Sequence, residues 1–330
     1  MRPPRQPDVA PTATAVLRAC GWLAADATLA DLRDLSSSHD VRCAVRSDGA
    51  EAIIKQRRSG RSRGIANELF VYRLAGWLPD LAAILPRAWH IDERHQILVL
   101  EALPGVRGFG QRLTDPAAMR RIGETLATVH RATIDQPILP SPAAGIFQVA
   151  VSPDATGRDR PYQTQTLMLR IAGDRVLRET LQRGKADYRA RCLIHGDLRP
   201  DHWIESTDGT LRLLDWEMGG GGDPMLDLAA AFVEPTLEAI RAGAPRHDWL
   251  ARADAVIRPL FDGYRARGGE ALIEGAGGHA HVVRLGAARL LHVACEWSDI
   301  GTLAPSVEAL VTCARTLAAS LEAVSQRIAA

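Results

Sequence analysis

The chemistry-bearing residues of this chain gather in one stretch, Leu193-Ile194-His195-Gly196-Asp197-Leu198-Arg199-Pro200-Asp201-His202-Trp203-Ile204. A second run, Leu211-Arg212-Leu213-Leu214-Asp215-Trp216-Glu217, follows closely. Apolar residues lie on both sides of the polar ones, which predicts a polar loop held between buried strands. Such a strand–loop–strand presents two carboxylates, Asp197 and Asp215, 18 residues apart. One could act as a base and the other as a ligand for a hard, oxygen-preferring cation. A lone Asp closing a strand is usually a turn or cap residue. His-Gly-Asp followed by Asp-Trp-Glu is far less commonly accidental.

The elements that must position these residues divide the chain. Residues 1–11 are polar and Pro-rich and predict a disordered leader. Residues 12–32 read as a helical, Ala/Leu-rich opening that includes Trp22. From Ser36 to about Leu100 the texture is strand-like. Val41 to Val45 and Ala52 to Lys55 flank the hairpin signal Ser47-Asp48-Gly49. A helix is predicted from about Ile65 to Trp77, with Pro79 and Pro86 marking the loop after it. His90-Ile91 and Ile97 to Leu100 form a further strand pair across Asp92-Glu93-Arg94-His95. Leu103-Pro104-Gly105 then reads as a hinge, so residues 12–103 make a small β-rich lobe with one main helix. Beyond it, residues 104–330 are mostly helical. Ile122, Leu126 and Val129 share one face of a helix from Met119 to Arg131. Residues 134–163 carry five prolines and read as irregular. Leu167 to Tyr188 is helical again, and helices dominate from Met225, broken by Gly/Pro-rich loops near 242–245 and 268–278.

Composition excludes several classes. The chain has 330 residues, 46% hydrophobic and 24% charged, which suits two domains with a sizeable core and rules out wholesale disorder. Forty Lys and Arg balance 39 Asp and Glu. That removes the broad electrostatic argument for nucleic-acid binding. No apolar run reaches the ~20 residues that span a bilayer, and the N-terminus lacks a signal peptide's apolar core, so a cytoplasmic protein is expected, with no membrane partner. The five cysteines are scattered and form no CxxC pair, which reads as isolated buried thiols rather than a zinc site.

His195-Gly-Asp197-Leu-Arg-Pro-Asp-His202, Leu-Asp215-Trp-Glu217 and Gly222-Asp223-Pro224-Met-Leu-Asp227-Leu-Ala together resemble the aminoglycoside phosphotransferase/choline kinase family. The likeness runs from about residue 30 to 300, with its specificity in residues 193–230, and Gly123 to His130 resembles the helix these enzymes carry after the hinge. The resemblance implies an α+β, protein-kinase-like bilobal fold and phosphoryl transfer from ATP, with Mg²⁺ or Mn²⁺ in its place, to a hydroxyl. It makes Asp197 the catalytic-loop aspartate, Asp215 the magnesium ligand and His195 a brace of the loop. Asp227 becomes the helix carboxylate that bonds loop backbone. In the small lobe it makes Lys55 the strand lysine on the α- and β-phosphates, oriented by Glu68. Ser36, Ser37 and Ser38 take the place of the phosphate-covering loop, and Glu101 to Leu103 that of the adenine-binding hinge.

One position departs from the family. His202 stands where a second, amide-oxygen metal ligand is usual, and imidazole suits magnesium poorly. Three readings follow: His202 remains near the metal with Mn²⁺ tolerated, Asp201 supplies the oxygen, or the second site is lost and the protein is a nucleotide-binding pseudokinase. The acceptor is also open between a small molecule and a Ser/Thr-bearing precursor peptide. Between Arg241 and Asp299, seven acids face eight arginines, which weakens a polycationic acceptor. Glu296 and Asp299, flanking Trp297, are the best carboxylates to receive one.

Overall fold

The structure, a computed structural model, describes residues 12–36, 40–57, 64–103, 107–108, 112–134, 136–138, 141–147, 160–275, 278–301 and 304–329. The expected leader, Ser37 and Ser38 lie outside them. Two units emerge: Met1–Val106 with Arg212–Glu217, and Arg107–Leu211 with Met218–Ala330.

The first unit opens with helix α1 (Ala13–Ala19), whose N-cap Thr12 accepts a hydrogen bond from Ala15 N through its hydroxyl at 3.3 Å. Strands β1 (Leu29–Asp34), β2 (Asp40–Arg46) and β3 (Glu51–Gln56) follow. Helices α2 (Gly64–Ala75) and α3 (Pro79–Ala82) then lead to strands β4 (Ala88–Asp92) and β5 (Ile97–Glu101). The strands form one antiparallel sheet in the order β1-β2-β3-β5-β4. The Asp48-Gly49 turn sets the β2–β3 register, Val41 opposite Lys55, with Gly49 at φ 84. Ala44, Ala52, Ile54, Ile97 and Val99 pack against Val16, Leu17, Trp22 and Leu23. A side chain as fully buried as Leu17 contributes about 1.5–3 kcal/mol. Strand alternation then turns Lys55 to the opposite face from Ile54.

The opening segment departs from the sequence reading. The helix stops after one and a half to two turns, where Gly21 adopts φ 74, and residues 29–34 form the sheet's edge strand instead. Most of β1 is exposed, so its Leu, Ala, Asp and Arg show no apolar alternation that would have marked a strand.

The second unit comprises β6 (Arg107–Gly108), α4 (Pro116–Ala132), a 3₁₀ turn at Pro142–Phe147, α5 (Tyr162–Gly173), α6 (Arg175–Asp187), β7 (Cys192–Ile194) and β8 (Trp203–Glu205). After β9 (Leu211–Leu213), where the chain passes to the first unit, come β10 (Gly220–Gly222), α7 (Pro224–Arg241), α8 (Asp248–Ala266), α9 (Glu270–Gly275), α10 (Gly278–Asp299), α11 (Ala304–Ala319) and α12 (Leu321–Ala329). The single helix expected over 167–188 is two. Asp174 divides them and caps α6, its carboxylate accepting from Val176 N at 2.9 Å and Leu177 N at 3.1 Å.

Glycines set how closely the helices approach. A Cβ at Gly123 of α4 would lie 2.0 Å from the Leu260 carbonyl, and one at Gly263 of α8 would lie 2.0 Å from the Arg120 carbonyl. The two backbones therefore touch directly. A Cβ at Gly286 of α10 would meet Phe232 Cε1 of α7 at 2.5 Å. Among the described residues, no helix is long and apolar enough to cross a membrane.

Candidate active site

In the first unit, Lys55 Nζ donates to both Glu68 oxygens, at 2.9 and 3.0 Å, and to Asp215 Oδ1 at 2.9 Å. Glu68 is 2% exposed, projecting from α2 toward the sheet face that carries Lys55. Burial works against the ammonium charge, and Glu68 and Asp215 overturn it, so the lysine is held protonated above its ordinary pKa. Asp215 arrives from the far side of the sequence because residues 212–217 dock on this unit. Leu213 N donates to Ile84 O at 3.0 Å, Arg212 Nη1 to Leu85 O at 2.8 Å, and Asn67 Nδ2 to Glu217 O at 3.0 Å. Trp216, fully buried, donates its indole N–H to Leu213 O at 2.9 Å. Asp215 itself sits at φ 63, a left-handed backbone that Asp tolerates better than most residues.

In the second unit, the segment after β7 is a braced loop. Asp227, one turn into α7 and 1% exposed, accepts from His195 N at 2.7 Å and Gly196 N at 2.9 Å. His130 Nε2 lies 3.2 Å from the same carboxylate, with its Nδ1 3.0 Å from Tyr264 Oη. The pKa of Asp227 is lowered: burial opposes ionisation, but His130, His195 and the Gly196 amide outweigh it. His195, fully buried, accepts from Asp197 N through Nδ1 at 3.3 Å, and His202 Nδ1 lies 2.9 Å from the Asp197 carbonyl. Gly196 at φ 80 makes the bend that turns Asp197 outward.

The Asp197 carboxylate meets two guanidinium groups. Arg289 Nη2 of α10 donates to Oδ1 at 2.9 Å, and Arg199 Nε lies 2.9 Å from Oδ2. Burial alone would raise its pKa; Arg289 and Arg199, helped by His195 and His202, bring it down to about 2. Several acids of this helical unit already have a base. Glu234 and Glu238 hold Arg241, Glu296 lies 3.3 Å from His292, and Asp299 holds Arg160 at 2.7 Å. The Arg241 guanidinium also lies 5.4 Å from the centre of the Trp297 ring.

The fold thus gathers Lys55, Glu68 and Asp215 in one unit, and His195, Asp197 and His202 in the other. Ser36 makes a local contact, its hydroxyl accepting from Val41 N at 3.0 Å. Glu101 receives Arg87 N on its side chain at 2.7 Å and donates its own N–H to Arg87 O at 2.9 Å. That N–H is therefore taken, and Leu103 lies two residues beyond the end of the strand. Among the described residues, no group of three or more His, Cys, Asp or Glu side chains is placed to hold a metal ion. Sequence reasoning missed Arg289. Its signal was an arginine set among Leu285, Ala287, Ala288, Leu290 and Leu291, seven residues before Glu296.

A family model described as the phosphotransferase enzyme family matches residues 31–273, well over half of the chain. The chain belongs to the phosphotransferase enzyme family. It is an enzyme of the kinase type, with that family's protein-kinase-like fold, small antiparallel sheet and mostly helical remainder. No curated protein matches this phosphotransferase in sequence. Among solved structures it is similar to LicA, a choline kinase from Streptococcus pneumoniae, in complex with AMP, at 16% identity and TM-score 0.59 over 93% of this chain and 98% of that one. A choline/ethanolamine kinase family protein from Mesorhizobium loti shares 18% identity at TM-score 0.56, over 95% and 98% of the two chains. An aminoglycoside phosphotransferase from Alicyclobacillus acidocaldarius shares 15% at TM-score 0.56, over 99% of each. At these identities the likeness is one of fold.

Proposed function

We propose that this phosphotransferase moves the γ-phosphate of ATP, with Mg²⁺, to a hydroxyl of a small molecule. The observation that carries this reading is Lys55 held charged between Glu68 and Asp215. A part-buried strand lysine oriented by a helix glutamate is what binding of the α- and β-phosphates requires. Backbone groups of Glu101 to Leu103 take the adenine, through carbonyls and the Leu103 amide, and Ser36 to Ser38 cover the phosphates.

Asp215 offers hard carboxylate oxygens on a side chain 32% exposed, which fits Mg²⁺ and tolerates Mn²⁺. The imidazole of His202 is softer, and its Nδ1 lies against the Asp197 carbonyl, so we assign it the part of a loop brace rather than a ligand. Bound at Asp215, the ion would neutralise charge on the phosphate oxygens. Asp197 orients the acceptor hydroxyl as a general base. The acceptor oxygen forms the new bond to the γ-phosphorus, the bridging oxygen leaves with ADP, and the hydroxyl proton passes to Asp197 and then to solvent. His195, His202 and Asp227 hold the loop that aims it.

Calorimetric titration with ATP, with and without Mg²⁺, tests the reading. The wild type is expected to bind in a metal-dependent way. Asp215→Asn, which tolerates the left-handed backbone, should lose the metal dependence, while Asp197→Asn should bind Mg·ATP normally and transfer no phosphate. Metal-independent binding by the wild type, or none, sinks the reading and favours a pseudokinase.

A further inference from the structure

Two arginines share one carboxylate, but they are built differently. Arg289 projects from the middle of α10, and its side chain is 8% exposed. Arg199 stands on the loop itself, with its side chain 47% exposed. Gly286 lies one turn before Arg289 on the same helix face, where its missing Cβ lets α10 press against Phe232 and Val233 of α7. That close approach fixes the depth from which Arg289 reaches Oδ1. Other acids lie in its field: burial raises the pKa of Glu234 against the pull of Arg241 and Arg289, and at Glu296 His292, with Arg289 behind it, outweighs burial and lowers it. Glu234 is however held by Arg241 at 2.9 Å and Glu296 lies against His292. Asp197 is thus the acid to which the Arg289 tip donates. The cost of this arrangement is visible: among the described residues, Arg289 Nε is shut from solvent with no hydrogen-bond partner. A buried guanidinium left partly unsatisfied is retained where its tip has work to do.

Resting on the phosphotransferase reading above, we propose that the two arginines divide the Asp197 carboxylate: Arg289 is a positioning residue that holds Oδ1 throughout the reaction, and Arg199 is an exchangeable cap on Oδ2 that the acceptor hydroxyl displaces. The anchor fixes the carboxylate plane, so the one oxygen that opens is already aimed. Arg199 can leave because nearly half of its side chain is in solvent and its departure strands no buried charge. Arg289 cannot leave without abandoning a guanidinium inside the helical unit.

The test uses water as the acceptor and reads ADP release from Mg·ATP, together with calorimetric Mg·ATP affinity and far-UV circular dichroism for folding. Arg289→Ala is expected to lower kcat on the order of 100-fold, as for a misplaced catalytic group, with KM for ATP and affinity unchanged. Free guanidinium ion should restore part of that rate, and Arg289→Lys should fall between. Arg199→Ala is expected to move the other way, raising hydrolysis severalfold because the cap is gone. A rate for folded Arg289→Lys and Arg289→Ala equal to wild type, no guanidinium rescue, or a loss in Arg199→Ala matching that in Arg289→Ala would each overturn the division. Wild-type protein that neither binds nor hydrolyses Mg·ATP would instead overturn the phosphotransfer reading beneath it.

Discussion

Lys55 and Asp197 show how far single residues depend on partners distant in sequence. Lys55→Met removes the ammonium that faces both oxygens of Glu68, which is 2% exposed. Breaking a buried pair from one side costs about 3 kcal/mol, whereas neutralising both sides costs less. Urea denaturation should therefore find Lys55→Met less stable than the double variant Lys55→Met/Glu68→Gln, and both should lose ATP affinity. Asp197 makes a separate, pH-dependent contribution. Its folded pKa of about 2 lies below the ordinary 3.8, so the stabilisation is fully present above pH 4 and disappears as pH falls through about 2. The shift corresponds to roughly 2 kcal/mol. Acid denaturation of Asp197→Asn should lack that component of the slope between pH 4 and 2; an unchanged slope would count against the arginine pairing. The sequence exposed Asp197, Asp215, Lys55 and Glu68 because motif spacing is local or strand-bound. Arg289 was not legible, since 92 residues separate it from the oxygen it touches and an arginine in a long helix ordinarily reaches solvent.

At the scale of elements, close backbone approach governs the second unit. The α4–α8 crossing has no room for a side chain at Gly263, where a Cβ would lie 2.0 Å from a carbonyl oxygen that cannot step aside. Gly263→Ala should destabilise by about 3 kcal/mol or more, because the two helices must separate along their whole contact. In a chain of this size that lowers Tm by roughly 4 °C, measurable by calorimetry. The same separation would loosen His130 on α4 from Tyr264 on α8, and with it the support of Asp227. Periodicity made α4 legible because Ile122, Leu126 and Val129 face a core. It failed for β1, an exposed edge strand whose pairing to β2 carries the structure while its side chains carry no pattern. It also ran α5 and α6 together, because one capping aspartate between two helical runs leaves the composition helical on both sides.

For the whole molecule, the balance of 40 basic and 39 acidic residues persists in the helical unit that holds Asp197, where Glu234, Glu296 and Asp299 already face Arg241, His292 and Arg160. The sequence singled out Glu296 and Asp299 as receivers of a cation; His292 lies one helical turn from Glu296, whereas the base of Asp299 was invisible because Arg160 lies 139 residues away. An acceptor bearing several ammonium groups would have to displace these pairs. Screening by phosphate transfer should therefore find uncharged hydroxyl compounds turned over at lower KM than polyamino sugars; the opposite ranking would show that the pairs open readily. The division of the chain has a consequence in time as well. Residues 212–217 belong to the first unit, so during synthesis that unit waits more than a hundred residues for its last piece. Until Asp215 emerges, Lys55 has Glu68 beside it and Ile84 has no strand segment to accept. The five-stranded sheet is complete once Glu101 is made, but the carbonyls of Ile84 and Leu85 wait uncovered for Arg212 and Leu213, and that open seam is the natural place for a chaperone to hold the growing chain.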